Sequence, residues 1–441
     1  MTNQDLLGAL LDAAKRAGAD QADALLVRSA SLAVQRRLGA IEQLERSEGV
    51  DLGLRVFVGQ RVAIVSATEA RAEGFASLAE RAVAMARIVP EDRFAQILDA
   101  PTPSMAALDL DDGEAPEADA LLARAAIAEE AALAVKGVTN SEGASAGWSR
   151  GTRSLATSRG FFGEYGRGSH SVSATALAGE GTGMQRDYDY ASATYLNELE
   201  DAVAIGRRAG EQAVARLNPT RPKSAVLPVV YHPRVSASLL GHLVGAINGA
   251  SIARGTSFLK DAMGTQILPR GMNVVDDPLR PRGPRSRPFD GEGQPGQRRA
   301  LVEDGVLTTW LLDSRSAAQL GLASTGHAAR GTGGPPSPSP TNLWLEAGRV
   351  SPAALMADIK LGLYVTELIG MGVNGITGDY SRGAAGFMIR DGQLAEPVGE
   401  ITIAGKLPEM FRALTAADDL VFKRGTDAPT LRVDGMTLAG A

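Results

Sequence analysis

NVVDDPLRPRGPRSRPFDGEGQPGQRRALVEDGVLTTWLLDSRSAAQLGLASTGHAARGTGGPPSPSPT, residues 273–341, carries Gly, Pro, Arg and Asp at a density that a core-forming segment does not tolerate. A second stretch, LGLYVTELIGMGVNGITGDYSRGAAGFMI at 361–389, runs Gly and polar residues into apolar strand-like text in the same way. Long irregular segments inside a compact domain are uncommon and are usually functional. Both stretches therefore read as site-forming loops, and the functional surface is expected in the C-terminal half.

Outward from these loops the text becomes regular. Residues 225–231 are a short apolar run that reads as a strand, and His232-Pro233 then opens an uncharged helix. Proline suits the first helical turn because its missing N–H would be unpaired there anyway. Leu239, Leu240, Leu243, Val244 and Ile247 keep helical spacing through 235–253, while His242, Asn248 and several Ser and Gly break its apolar character. A buried helix is expected there, not a membrane span. Gly241, Gly245 and Gly249 fall on one face of it. A mid-helix glycine costs about 1 kcal/mol, so a close neighbour is expected against that backbone. A further helix is expected at 352–363, capped by Ser351.

Upstream, one order of elements occurs twice. A helix at 4–17 precedes strands at 22–34, 41–46, 50–58 and 61–66, separated by Gly-containing turns, with Gly59-Gln60 at the tip of a hairpin, and a helix at 70–86 closes the unit. Residues 99–119, rich in Pro and acid, read as a linker. A helix at 120–135, strand text through 138–178 and a helix at 197–217 then repeat the order. The expected fold is α+β: a unit at 1–98, the linker, a second unit at 120–222 and a larger β-rich domain at 223–441.

Composition narrows the function. A chain of 441 residues is too long for one comfortable core, and 44% hydrophobic residues ensure that it folds. With a net charge of -6 and no long Lys or Arg block, general nucleic-acid affinity is not expected. Arg280, Arg282, Arg285 and Arg287, interleaved with Pro and faced by Asp276, Asp277, Asp290 and Glu292, read as a self-neutralised loop. Cysteine is absent, which removes disulfides, thiol nucleophiles and Cys-based metal sites. The start MTNQDLLGALLDAAKRAGAD lacks the cations and apolar region of an export signal, so a cytoplasmic location is expected.

Several motifs invite chemistry. His170, His232, His242 and His327 are scattered, and none has a second ligand at helical spacing, so no HExxH-type zinc site is expected. Gly370 to Gly375 match G-x-G-x-x-G, but ITGDYSRGAAG follows instead of the helix that would hold a pyrophosphate. Gly143 to Gly147 match the G-x-S-x-G elbow around Ser145 without the buried strand and helix that it requires. Asp276, Asp277, Asp290, Glu292 and Asp379 are candidates for acid and base work or for lining a ligand, and Arg382 for holding a substrate carboxylate.

The two loop stretches, with SRPFDGEG at 286–293 and ITIAG at 401–405, resemble the PmbA/TldD family over essentially the whole chain, and specifically its PmbA (TldE) branch. The resemblance implies a heterodimeric metalloprotease that admits unfolded or modified peptides into an enclosed cavity, its zinc held by a TldD-type subunit through HExxxH and a late Cys. Counting back from Arg254-Gly255-Thr256-Ser257, which resembles the family's RGTS, places that motif at LGHLVG, 240–245. Neither end is His, Gly241 takes the Glu position, and no Cys exists. By resemblance the chain is thus the metal-free subunit: no catalytic residue and no cofactor of its own, a TldD-type partner or a second copy of itself as dimer mate, and peptide as ligand. Asp290, Glu292, His327, Asp379 and Arg382 are the expected substrate-binding residues. The alternative is a homodimeric peptide-binding or regulatory protein without catalytic activity.

Overall fold

Alternating apolar residues build one antiparallel sheet out of both N-terminal units, in a computed structural model that describes residues 2–101 and 108–441. The first unit contains α1 (Asn3–Ala17), β1 (Gln21–Arg37), β2 (Ala40–Val58), β3 (Arg61–Ala67) and α2 (Phe75–Ile88). The second contains α3 (Ala118–Leu133), β4 (Val138–Thr157), β5 (Phe162–Ala178), β6 (Gln185–Ala193) and α4 (Ala202–Ala215). Each runs helix, three strands, helix. The strand order β3-β2-β1-β4-β5-β6 makes the sheet continuous, because β1 pairs with β2 on one side and with β4 on the other. Of the expected linker at 99–119, residues 102–107 lie outside the described residues.

The period of two decides what each face does. Ala22, Ala24, Leu26, Leu32 and Val34 of β1 point to the side covered by the helices, with α1 and α2 over the first unit's strands and α3 and α4 over the second's. Leu25 joins Leu155, Phe161 and Phe289 on the opposite side, with Val27 packed against them. That opposite face receives the C-terminal domain.

The C-terminal domain opens with β7 (Ala225–Tyr231), α5 (Pro233–Ala246) and α6 (Gly249–Ala253). The loop-rich stretch follows, holding β8 (Val274–Asp277), β9 (Arg299–Glu303), β10 (Val306–Leu307), α7 (Ser314–Leu320), β11 (Ala328–Ala329), β12 (Ser337–Pro338) and β13 (Asn342–Leu345). After α8 (Pro352–Met356) come β14 (Leu361–Val373), β15 (Asp379–Arg390), β16 (Gln393–Lys406), α9 (Leu407–Arg412), β17 (Leu414–Ala416), β18 (Thr426–Asp427) and β19 (Leu431–Ala439). The order β16-β15-β14-β7-β19 closes into a barrel because Thr402, Ile403 and Ala404 of β16 also pair with β19. A smaller sheet, β10-β9-β8-β13-β18, stands beside it. One core joins Val229, Tyr231, Leu363, Val365 and Ile403 of the barrel to Leu239 and Leu243 of α5 and to Leu343 of the smaller sheet.

Three local expectations change. Gly49 does not turn the chain; it sits opposite Ser29 inside β2, because the flanks on both sides keep pairing with β1. The helix expected at 352–363 ends at Met356, where Leu361 begins a barrel strand; Ser351 does cap it, accepting from Ala354 N at 3.2 Å. The helix expected through 253 breaks after Ala246, and the Asn248 side chain starts α6 by accepting from Ala250 N at 3.0 Å.

Candidate functional site

The sheet face opposite the helices meets loops from both halves of the 273–341 stretch. Phe289 packs edge-on against Phe161 and Tyr165, each at 5.3 Å between ring centroids. Beneath this aromatic contact lies a buried ionic cluster. Asp23 accepts from Arg55 Nε at 2.8 Å and from Arg330 Nη1 at 2.5 Å, so one carboxylate from β1 serves cations from both halves of the chain. Burial alone would raise the Asp23 pKa, but Arg330 and Arg55 outweigh it and hold the carboxyl below its ordinary value.

Three of the expected substrate-binding residues fall in this junction. Asp290 accepts from the backbone N–H groups of Glu292, Gln294 and Ala328 at 2.8, 2.9 and 3.0 Å. Glu292 accepts from Ser314 N at 2.8 Å and from the Ser314 hydroxyl. Burial, with Asp290 nearby, pushes the Glu292 carboxyl up to about 7 despite Arg55, and burial raises Asp290 as well. His327 bonds Asp276 through Nε2 at 3.1 Å and Thr325 through Nδ1 at 2.8 Å, and Asp276 also accepts from Thr341 N and Oγ1 at 2.6 Å. All three are buried and already partnered, which makes them staples between loops.

Asp379 and Arg382 lie elsewhere, on the β14–β15 hairpin. Arg382 borders an open groove with His242, Phe258, Met371 and the bare backbone of Gly241 and Gly245. A Cβ added at either glycine would meet nothing within 4 Å, whereas at Gly249 it would come within 2.5 Å of Leu312. The expected close approach therefore holds only at Gly249, and the other two glycines keep a channel clear. The edge of the His242 ring packs on Tyr380 at 5.8 Å, and burial together with Arg382 lowers its pKa, favouring neutral imidazole. Asp379 is exposed at the hairpin's end, where it accepts from Thr377 Oγ1 at 2.6 Å.

The family profiles for the PmbA/TldA metallopeptidase match this chain in series: domain 1 at residues 22–86, the central domain at 111–217 and the C-terminal domain at 224–440. The metalloprotease PmbA of Escherichia coli O157:H7 is 36% identical over 426 residues, covering 96% of this chain and 92% of that protein. The chain belongs to the PmbA/TldD metallopeptidase family. A PmbA homologue from Haemophilus influenzae is 33% identical over 98% of this chain and 94% of its own length. Among solved structures, a proposed modulator of DNA gyrase from Bacteroides thetaiotaomicron superposes with a TM-score of 0.91 at 26% identity, covering 100% of this chain and 99% of that one. TldE from Thermococcus kodakarensis shares the fold at a TM-score of 0.86 and 21% identity, covering 99% and 100%.

Residues 240–245 lie in α5, and the groove runs along them. The side chains bordering the groove include one imidazole and one guanidinium but no carboxylate. A cation beside the single imidazole is the wrong donor set for zinc. Among the described residues, no three His, Asp or Glu side chains come together as a metal site. His170 pairs with Asp112 at 2.9 Å and His232 caps α5 by accepting from Arg234 N at 3.0 Å, so the four imidazoles occupy four separate places. Ser145 lies mid-strand in β4, opposite Gln35 and Ser173, which removes the nucleophile elbow. No helix among the described residues is long and apolar enough to cross a membrane.

Apart from Arg287, whose charge acts on Asp290, the arginines of the 280–287 loop find their partners away from the expected acids. Arg282 bonds Asp109 at 2.6 Å and Glu198, Arg280 stacks on Phe422 at 3.9 Å, and Asp276 is committed to His327 and Thr341. Arg153, Arg167 and Arg330, which line the junction cleft, were not anticipated at all. Their only signal is position: Arg153 and Arg167 share odd-numbered places with Leu155 and Tyr165 on the sheet face away from the helices.

Proposed function

We propose that this chain is the subunit of a TldD/PmbA-type peptidase complex that binds no catalytic metal of its own, completes the enclosed cavity and holds unfolded or modified peptides. The observation that carries this reading is the α5 groove. The helix that corresponds to the family's metal motif lacks the ligands, yet Gly241 and Gly245 keep its face clear of side chains. A bare backbone face beside a strand hairpin suits an extended peptide added as a strand. Ile369, Met371 and Ile376 on that hairpin are 57%, 86% and 61% exposed, an apolar surface suited to burial under a partner subunit.

The test is reconstitution. The isolated chain binds extended peptides weakly without cleaving them, and adding a TldD-type chain that carries HExxxH produces chelator-sensitive hydrolysis. Arg382→Ala lowers the complex's activity several-fold while its zinc content stays unchanged. Chelator-insensitive hydrolysis by the chain alone, or one zinc per isolated chain surviving chelator dialysis, sinks the reading.

A further inference from the structure

The cleft at the junction is a second cavity, of about 380 Å³, and none of the residues bordering the α5 groove lines it. Five arginines line it, Arg153, Arg167, Arg285, Arg287 and Arg330, against the single carboxylate of Asp290. That carboxylate accepts from three backbone N–H groups and shares its charge with Arg287 alone among the five. The arginines are held largely by neutral carbonyls: Arg153 donates to Arg330 O at 3.1 Å, Arg287 to Ala328 O at 2.9 Å, and Arg167 to Pro284 O and Ser286 O. Burial lowers the Arg167 pKa, with Tyr165 opposing the shift and the neighbouring cations Arg153 and Arg287 adding to it.

Two of these side chains point to what is missing. Arg330 is 6% exposed and spends Nη1 on Asp23, while its Nε and Nη2 are buried without an acceptor. Arg287 likewise leaves Nε and Nη2 buried and unpaired. Unsatisfied buried donors cost far more than an average hydrogen bond returns, and guanidinium forks match planar oxyanions. An apolar part of the wall is formed by Leu25, Val27, Leu155, Tyr165 and Phe289, beside the hydroxyl-bearing Ser149, Thr152 and Ser169.

We propose that this cleft binds a carboxylate carried on an apolar body, specifically the C-terminal residue of a peptide. The choice of a peptide over other amphiphilic carboxylates rests on the proposed function; the preference for an apolar oxyanion rests on the cleft alone. The test is calorimetric titration of the full chain with acetyl-Ala-Ala-Phe as the free acid, with the same peptide amidated at its C-terminus, and with inorganic phosphate. The free acid binds saturably and the amide at least about tenfold more weakly, ~1.4 kcal/mol. Arg287→Met, which keeps the packing stem, costs about the same factor. Arg285→Glu, at the exposed rim, weakens the acid a few-fold while the denaturant midpoint, measured alongside, reports any loss of its bond to Thr426. Equal binding of acid and amide, indifference to both substitutions, or saturation by phosphate with no binding of the peptide acid overturns the proposal. Failure of the subunit reading shows instead as absent hydrolysis with a TldD-type partner and leaves the acid–amide difference in place.

Discussion

The junction and the α5 groove are both concave and both built from unusual sequence, yet they follow opposite rules. At the junction, acidic side chains are buried and matched: Asp23 between two arginines, Asp290 among backbone donors, Glu292 on Ser314, Asp276 on His327 and Thr341. Along the groove there is little to match, because the wall is glycine backbone, apolar Phe258 and Met371, one imidazole and a loosely held Arg382, whose Nε reaches Ile369 O only at 3.4 Å. A density of polar residues thus marks where the two halves of the molecule are fastened. A face kept free of side chains marks where something else lies. Only the arginine-lined part of the junction departs from this rule, which is why it carries a ligand proposal of its own.

The contrast breaks most visibly at Asp23. Removing its carboxylate leaves Arg330 buried without its ion-pair partner and Arg55 with only Glu292 at 3.9 Å, an arrangement that costs about 3–5 kcal/mol. Asp23→Ala is therefore expected to lower the denaturant midpoint severely, whereas Asp379→Ala at the exposed hairpin stays within about 0.5 kcal/mol of the parent. Comparable midpoints for the two variants would mean that charge does not hold the junction together.

A smaller effect sharpens the same contrast through pH. Burial raises Glu292 to about 7 from an ordinary 4.5. A carboxyl whose folded pKa lies above its unfolded one gives stability that is complete below 4.5 and is lost as pH rises through 7. Glu292→Gln holds the neutral form throughout. The variant's stability relative to the parent should therefore climb by up to about 3 kcal/mol between those limits and level off above them. Paired denaturation curves across the window read this directly, and a flat or falling difference contradicts a buried neutral acid. His232, lowered to about 4 by burial with Arg234 and Arg424 adding to it, works in the other direction: its neutral cap on α5 contributes stability above 6.5 that is lost as pH falls toward 4. His232→Asn retains a cap acceptor and removes that acid limb.

What the sequence disclosed follows the range of the interaction involved. The β7 strand ending at Tyr231, the proline-started α5 and the Gly59-Gln60 hairpin depend on neighbours in the chain, and all were legible. The β1–β4 pairing that fuses the two units, and the β16–β19 pairing that closes the barrel, join distant strands whose local text is indifferent to its partner. The site obeyed the same limit. Asp290, Glu292 and His327 stood out as polar residues in loop text, but whether a loop carboxylate faces solvent or Ser314 is settled by a segment elsewhere in the chain. The glycines of α5 were noticed for their cost, and the sign of their meaning reversed: alternation of size tells that a face is bare, never whether a neighbour fills it.

That reversal supplies the last and smallest prediction. Gly→Ala in a helix interior gains about 1 kcal/mol where the new methyl meets nothing, and at Gly241 and Gly245 nothing lies within 4 Å. Either substitution should raise the denaturant midpoint slightly. Gly249→Ala, with Leu312 at 2.5 Å and Leu311 O at 2.7 Å from the added carbon, should lower it. If a peptide lies along α5, the same methyl that stabilises the isolated chain at Gly245 obstructs the channel, so hydrolysis by the complex falls as the subunit grows more stable. Stability and activity moving together in Gly245→Ala would return this face to ordinary helix surface and place the peptide elsewhere.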